Sequence, residues 1–301
     1  MSATVFERTA SAPISWGVCE VPGWGIQLPV ERVLREMAEL GLRATELGSI
    51  GYLPTDPAEL VETLAEHGLV LTGGFNALAL ADPSQADVAL KQADESAALL
   101  AAGGATDFVT CIVTDPNDWA RPELTSAQWD HLWVMLDRVD ELCVSHGLTQ
   151  VFHPHVDSLV ETAPEVQRVL DNSDVRWVLE TGHLAIGGYD PLRFAERYAN
   201  RVHLVHLKDL RFPIAARLNA EELSLMEAVQ EGLFVPLGEG DIAIADVVEV
   251  MERRGFDGWY VIEQDAAITS GAVPPDGDGP IRDVRESVAF IRSLDARLEA
   301  S

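Results

Sequence analysis

Short apolar runs alternate with helix-period segments along the whole chain, and this alternation restricts the fold more than any other feature. Strand-like runs are read over residues 12–18, 44–47, 70–75, 108–113, 149–155, 176–180, 201–207 and 259–263. A helical pattern follows each of them, over residues 29–40, 57–67, 85–102, 127–146, 164–171, 191–198, 244–254 and 281–298. Parallel strands need a crossover between them, so regular βα alternation specifies a parallel sheet, and eight such units close it into a (β/α)8 barrel. The competing arrangement is an open doubly wound sheet. It would carry a GxGxxG turn between the first strand and first helix, whereas Gly23-Trp24-Gly25 lies in a loop without that spacing. Asp56-Pro57, Asp82-Pro83 and Asp190-Pro191 read as helix starts, and Gly41, Gly68, Gly147 and Gly255 as helix stops.

The 301 residues suit one large barrel, and no linker or low-complexity tract divides them, so residues 1–301 are read as a single domain. Two connections exceed what a compact barrel needs: residues 210–241 after the seventh strand, with a helical pattern of their own over 220–230, and 264–279 after the eighth. Both leave strand C-terminal ends, where barrel enzymes keep their sites, and are expected to be mouth loops or lids. Twenty-one basic against 49 acidic residues give a net charge of −28, a surface that repels phosphate backbones and anionic lipid and excludes a nucleic-acid partner. The longest apolar run falls short of the ~18 residues of a membrane span. Cys19, Cys111 and Cys143 show no metal-finger spacing and leave one thiol over in any disulfide scheme, as expected of reduced cysteines in a cytoplasmic protein.

Polar residues collect where the apolar runs end. The fifth run ends in His153-Pro154-His155, followed by Glu161; residues two apart project to one face of a strand, so the two histidines point the same way. Glu180 closes the sixth run ahead of Thr181-Gly182-His183. In the seventh, His206 and Lys208 share one face, and His203 falls on the other, packed outside. Glu263 ends the eighth. In a closed barrel these strands are neighbours. Glutamates with an imidazole form an oxygen/nitrogen donor set suited to Mn²⁺, Co²⁺ or Mg²⁺, and less to Zn²⁺. Buried acids with no cation would be costly.

The order HPH…VET, ETGH, HLKD, LGEGD and WYVIEQD, with the openings Pro13-Ile-Ser-Trp-Gly17 and Ala44-Thr-Glu-Leu-Gly48, resembles the xylose-isomerase-like TIM-barrel superfamily of sugar isomerases and epimerases, and within it the inosose dehydratase group. The likeness spans about residues 12 to 294. It implies metal ligation by Glu161, Glu180, His206 and Glu263, acid–base work by His153, His155 and Lys208, and substrate contacts from Trp16, Glu46 and His183. The family's sixth strand usually ends in DTGH, where this chain has ETGH.

The resemblance further implies dehydration of a keto-cyclitol such as 2-keto-myo-inositol through an enediolate, with a divalent ion, most simply Mn²⁺ or Co²⁺, at the barrel mouth. His153, His155 and Lys208 remain open as the base and the acid. Three other readings use the same site: a keto-sugar isomerase or epimerase, a subunit that cleaves 3-keto C-glycosides with a small partner, and a sugar-binding barrel without catalysis. The expected partner is a small polyol or keto-sugar, with homo-oligomers left open.

Overall fold

In the computed structural model, which describes residues 3–117 and 119–299, the strands form one parallel ring. They are β1 (Thr9–Ser11), β2 (Ala44–Thr45), β3 (Val70–Leu71, resuming as Gly73–Leu78), β4 (Asp107–Ile112), β5 (Thr149–Phe152), β6 (Arg176–Glu180), β7 (Val202–Leu207) and β8 (Trp259–Ile262). Each pairs with its neighbours in chain order, and β8 returns to β1 with Ala10 opposite Val261. The break in β3 falls at Thr72, where the ring is joined. The Thr72 N–H donates to the Thr45 carbonyl at 2.9 Å, and its own carbonyl accepts from the Thr106 and Asp107 N–H groups, each at 3.0 Å. The expected (β/α)8 barrel is therefore present.

The first strand lies earlier than the apolar run suggested. Pro13 has no N–H to give a ladder, and Pro13–Trp16 is a 3-10 turn ended by Gly17 at φ +80°. Of the pattern over 220–230 the second half is helical, as Leu225–Gln230, and a further helix, Phe212–Asn219, precedes it. A capping box on Ser224 and Glu227 starts Leu225–Gln230. Asp56 and Asp190 cap Pro57–Glu66 and Pro191–Tyr198 as read from sequence. No helix among the described residues is long and apolar enough to cross a membrane.

Ala10, Ala12, Ala44, Val109, Val151, Val178, Leu204 and Val261 pack together inside the ring. A larger apolar layer lies between ring and helices. The inner set decides the height of the site. Two residues beyond Ala44, Val151, Val178, Leu204 and Val261, on the same strand face, come Glu46, His153, Glu180, His206 and Glu263.

His203 departs from its expected place outside the ring. Between β6 and β7 the register runs Trp177 opposite Val202 and then Val178 opposite Leu204, so His203 is the extra residue of a bulge. Its Nε2 lies 3.3 Å from Oδ1 of Asp107, which sits two residues before inward-facing Val109 at the start of β4. A one-residue slip cancels the parity that assigned its face.

Candidate metal centre and its surroundings

One ligand atom from each of His153, Glu180, His206 and Glu263 falls within 4.8 Å of the others. His206 Nδ1 is 3.4 Å from Glu180 Oε2 and in contact with Glu263 Oε2, and His153 Nε2 is 3.9 Å from Glu180 Oε2. Donors about 2.1 Å from one ion stand about 3 to 4 Å apart, close to this spacing. Glu180 Oε2, His206 Nδ1 and Glu263 Oε2 are also buried without a hydrogen-bond partner. Leaving such atoms unbonded costs roughly 1–3 kcal/mol each, more for charged groups. A divalent cation would satisfy all three, so the donor set fits one.

The carboxylate of Glu180 has two tasks. Its Oε1 accepts from the N–H groups of Gly182 at 2.9 Å and His183 at 3.4 Å, capping Thr181–Ile186, which leaves Oε2 for the cluster. Behind His206, Glu46 Oε1 lies 3.1 Å from Nε2 and fixes the ring with Nδ1 inward. Burial pushes the Glu180 carboxyl up against the pull of Lys208, and pushes His153 well below the usual imidazole value. His206 goes well above it in spite of burial, because Glu46 and Glu263 face it.

Lys208 is 1% exposed, and its ammonium lies 2.9 Å from Glu263 Oε1, 2.9 Å from Asp265 Oδ1 and 3.1 Å from His183 Nε2. Two of its N–H groups go to carboxylates, and the His183 ring crowds the third. Burial would depress its pKa, but Asp265 and Glu263 outweigh that and hold it raised. A Cβ on Gly182 would come within 2.8 Å of the Lys208 stem, so the glycine of ETGH makes room for the lysine of HLKD. Asp209, next along, accepts from the N–H groups of Leu210, Gly238, Gly240 and Ile242 at 2.9–3.1 Å and so gathers the LGEGD turn.

His155 stands beside the cluster, its ring 3.8 Å from that of His183. Its Nδ1 is 2.6 Å from the Val156 carbonyl. A carbonyl only accepts, so Nδ1 carries the proton and Nε2 keeps a lone pair. Burial first, then Lys208, lowers this imidazole to about 4. Phe75 packs at 5.7 Å from His155 and 5.5 Å from His153, and Trp119 meets His155 edge-on at 5.0 Å.

Of the residues expected from sequence, Glu180, His206 and Glu263 meet in the cluster. His153, expected as an acid or base, takes the fourth place. Glu161 lies outside it, with Oε2 3.2 Å from Arg121 Nε. Trp16 is fully buried and donates its indole N–H to Glu36 at 2.9 Å, while Glu46 backs His206 and His183 meets Lys208. Sequence reasoning missed Asp265, although strand parity with Glu263 signals it. Phe75 carries the same signal from β3. Trp119, in a loop, carries none.

The sequence matches the family model for xylose isomerase-like TIM barrels over residues 34–294. It is 33% identical over 275 residues to an inosose dehydratase of Geobacillus kaustophilus, covering 87% of this chain and 89% of that protein. An inosose dehydratase of Lacticaseibacillus casei is 29% identical over 84% of this chain and 87% of its own length. Among solved structures, an L-ribulose 3-epimerase superposes with a TM-score of 0.69 at 17% identity, covering 100% of this chain and 97% of that one. A probable 3-DHS dehydratase from Bacillus anthracis gives 0.67 at 14% identity over 95% and 98%. With the ring, the motifs and these likenesses in agreement, the chain belongs to the xylose isomerase-like TIM barrel family and is an enzyme of the lyase class, a dehydratase.

Proposed function

We propose that this enzyme removes water from an uncharged keto-cyclitol, 2-keto-myo-inositol being the model substrate, as a step in cyclitol breakdown. The observation that carries the reading is a lone-pair nitrogen, His155 Nε2, beside four converging donor atoms that fit a divalent cation. A bound ion supplies positive charge against the anion that develops when a proton leaves the carbon next to a carbonyl. Two imidazoles and two carboxylates favour Mn²⁺ or Co²⁺ over Mg²⁺.

The remaining chemistry belongs to the protein's own side chains. His153 is drawn into the ligand set, and Lys208, held as an ammonium by Glu263 and Asp265, has no lone pair, which leaves His155 of the three candidates. His155 Nε2 takes the α-proton, the C–H electron pair becomes the new double bond, and the β-hydroxyl departs with the proton returned by His155 as water. Lys208 acts as a fixed charge. Because Glu263 and Asp265 already share it, it has little charge to offer a phosphate, which supports a neutral substrate. Phe75 and Trp119 offer an apolar wall for the C–H face of a ring. Three free thiols suit a reducing compartment such as the cytoplasm.

The test is to load the protein with Mn²⁺ or Co²⁺, supply 2-keto-myo-inositol, and follow the ultraviolet absorbance of the dione product. Steady formation of the dione that is lost in His155→Gln supports the reading. An epimer with no dione replaces it with the epimerase, and unchanged substrate overturns it.

A further inference from the structure

Glu161 has the residue type of a metal ligand and a different use. Its Oε2 accepts from the Asp157 N–H at 2.9 Å and faces Arg121 Nε at 3.2 Å. The guanidinium also donates to the Ser158 carbonyl through Nε, and through one terminal nitrogen to both oxygens of Glu165 at 3.1 and 2.8 Å. Glu165 in turn accepts from the N–H groups of Glu161 and Thr162, at 3.0 and 2.8 Å, at the start of Ala163–Asn172. One cation from the β4 connection is thus held between two acids of the β5 connection. Arg121 is 29% exposed and Glu161 14%, so the pairing is partly shielded from water. Two residues before Arg121 stands Trp119, the side chain packed edge-on to His155. The Thr114 hydroxyl donates to the Ala120 carbonyl at 2.6 Å, which folds the segment back on itself and leaves Arg121 as its attachment to the next connection.

We infer that Arg121 and Glu161 are positioning residues: their ion pair, bridging the β4 and β5 connections, holds Trp119 against His155 and thereby sets the wall that a ring substrate meets. Glu161 then acts through Trp119 and not through a metal ion. The kinetic part of this inference rests on the dehydratase reading; the optical and metal-binding parts do not.

The experiment compares the Mn²⁺-loaded protein with Arg121→Met, Arg121→Lys and Glu161→Gln, each made with and without Trp119→Phe. The difference within each pair isolates Trp119 emission from that of the other six tryptophans, since the chain has seven. The expected result is a red-shifted, more readily quenched Trp119 signal in Arg121→Met and Glu161→Gln, with partial recovery in Arg121→Lys. Mn²⁺ affinity should stay within about twofold, where loss of a true ligand or its supporting partner costs about tenfold or more. KM for the keto-cyclitol should rise about fivefold with kcat little changed, the signature of lost binding common to ground and transition states. A Glu161→Gln protein that loses Mn²⁺ as Glu180→Gln does would make Glu161 a ligand and overturn the inference. Unchanged Trp119 emission in both Arg121→Met and Glu161→Gln would also overturn it. If no variant and no parent forms dione, the dehydratase reading fails, while emission and metal affinity still decide the clamp.

Discussion

Glu180 shows how much one methylene can decide. On this backbone its two oxygens reach in different directions, one to the Gly182 and His183 N–H groups and the other to the cluster. Aspartate would draw both back by roughly one C–C bond, about 1.5 Å, so it could keep the cap or the ion but would fit both less well. Glu180→Asp is therefore expected to weaken Mn²⁺ binding about tenfold, and Glu180→Gln, which removes the charge, by a larger factor; titration calorimetry measures both. Equal affinity in all three would remove Glu180 from the ligand set. The position of Glu180 was legible in the sequence because it lies two residues past an inward valine, as do His153 and Glu263. The outward use of Glu161 was not, because its partner Arg121 is 40 residues away and no periodicity links the two.

Connections and strands were legible to different degrees. Length and its place after the eighth strand mark residues 264–279 as a mouth loop or lid, and the structure shows how that stretch is latched. Buried Arg32 donates to the carbonyls of Pro274, Pro275 and Asp278 at 2.5–3.0 Å and is itself held by Glu36, which also takes the Trp16 indole. Gly25, of the unassigned Gly-Trp-Gly, lies where a Cβ would be 2.9 Å from the Ile268 backbone, and Trp24 donates to the Ala266 carbonyl. Such latches join residues far apart in the chain, and a local pattern carries no trace of them. The β7 bulge was equally hidden, and it brings His203 beside an unusual acid. Burial lifts the Asp107 carboxyl to about 7. A folded-state value above the unfolded one means the native state binds the extra proton, so stability is lost as pH rises from about 4 to 7 and is flat above. Asp107→Asn should remove that slope and gain on the order of 4 kcal/mol over the parent at pH 8, with little gain at pH 4. Urea unfolding at the two pH values measures it, and a parent with no such slope would show that Asp107 is already charged in the fold.

At the scale of the whole molecule, counting βα units was enough to name the ring, because a closed parallel sheet is what eight crossovers build. Two helices left unmarked by the sequence pattern, Thr181–Ile186 and Phe212–Asn219, are short, and they follow β6 and β7. Short helices leave too few residues for a period to register. The ring concentrates acids at its mouth within a chain of net charge −28, so removing a cation should be felt globally. Chelation is expected to lower the thermal midpoint by several degrees, and Mn²⁺ at about a hundredfold excess over its Kd to restore about 2.7 kcal/mol. A midpoint indifferent to chelator would mean that the cluster binds no ion of consequence.

Thr72 puts a different kind of constraint on the sequence. The ring is joined there through main-chain atoms, an N–H given to β2 and a carbonyl shared by two N–H groups at β4. Any residue supplies those atoms except proline, which has no N–H to give. The main chain therefore closes this position to a single imino acid, and the side chain adds a second restriction, because Thr72 is buried and its hydroxyl donates to the same Thr45 carbonyl at 3.2 Å, so one short residue sews the seam twice.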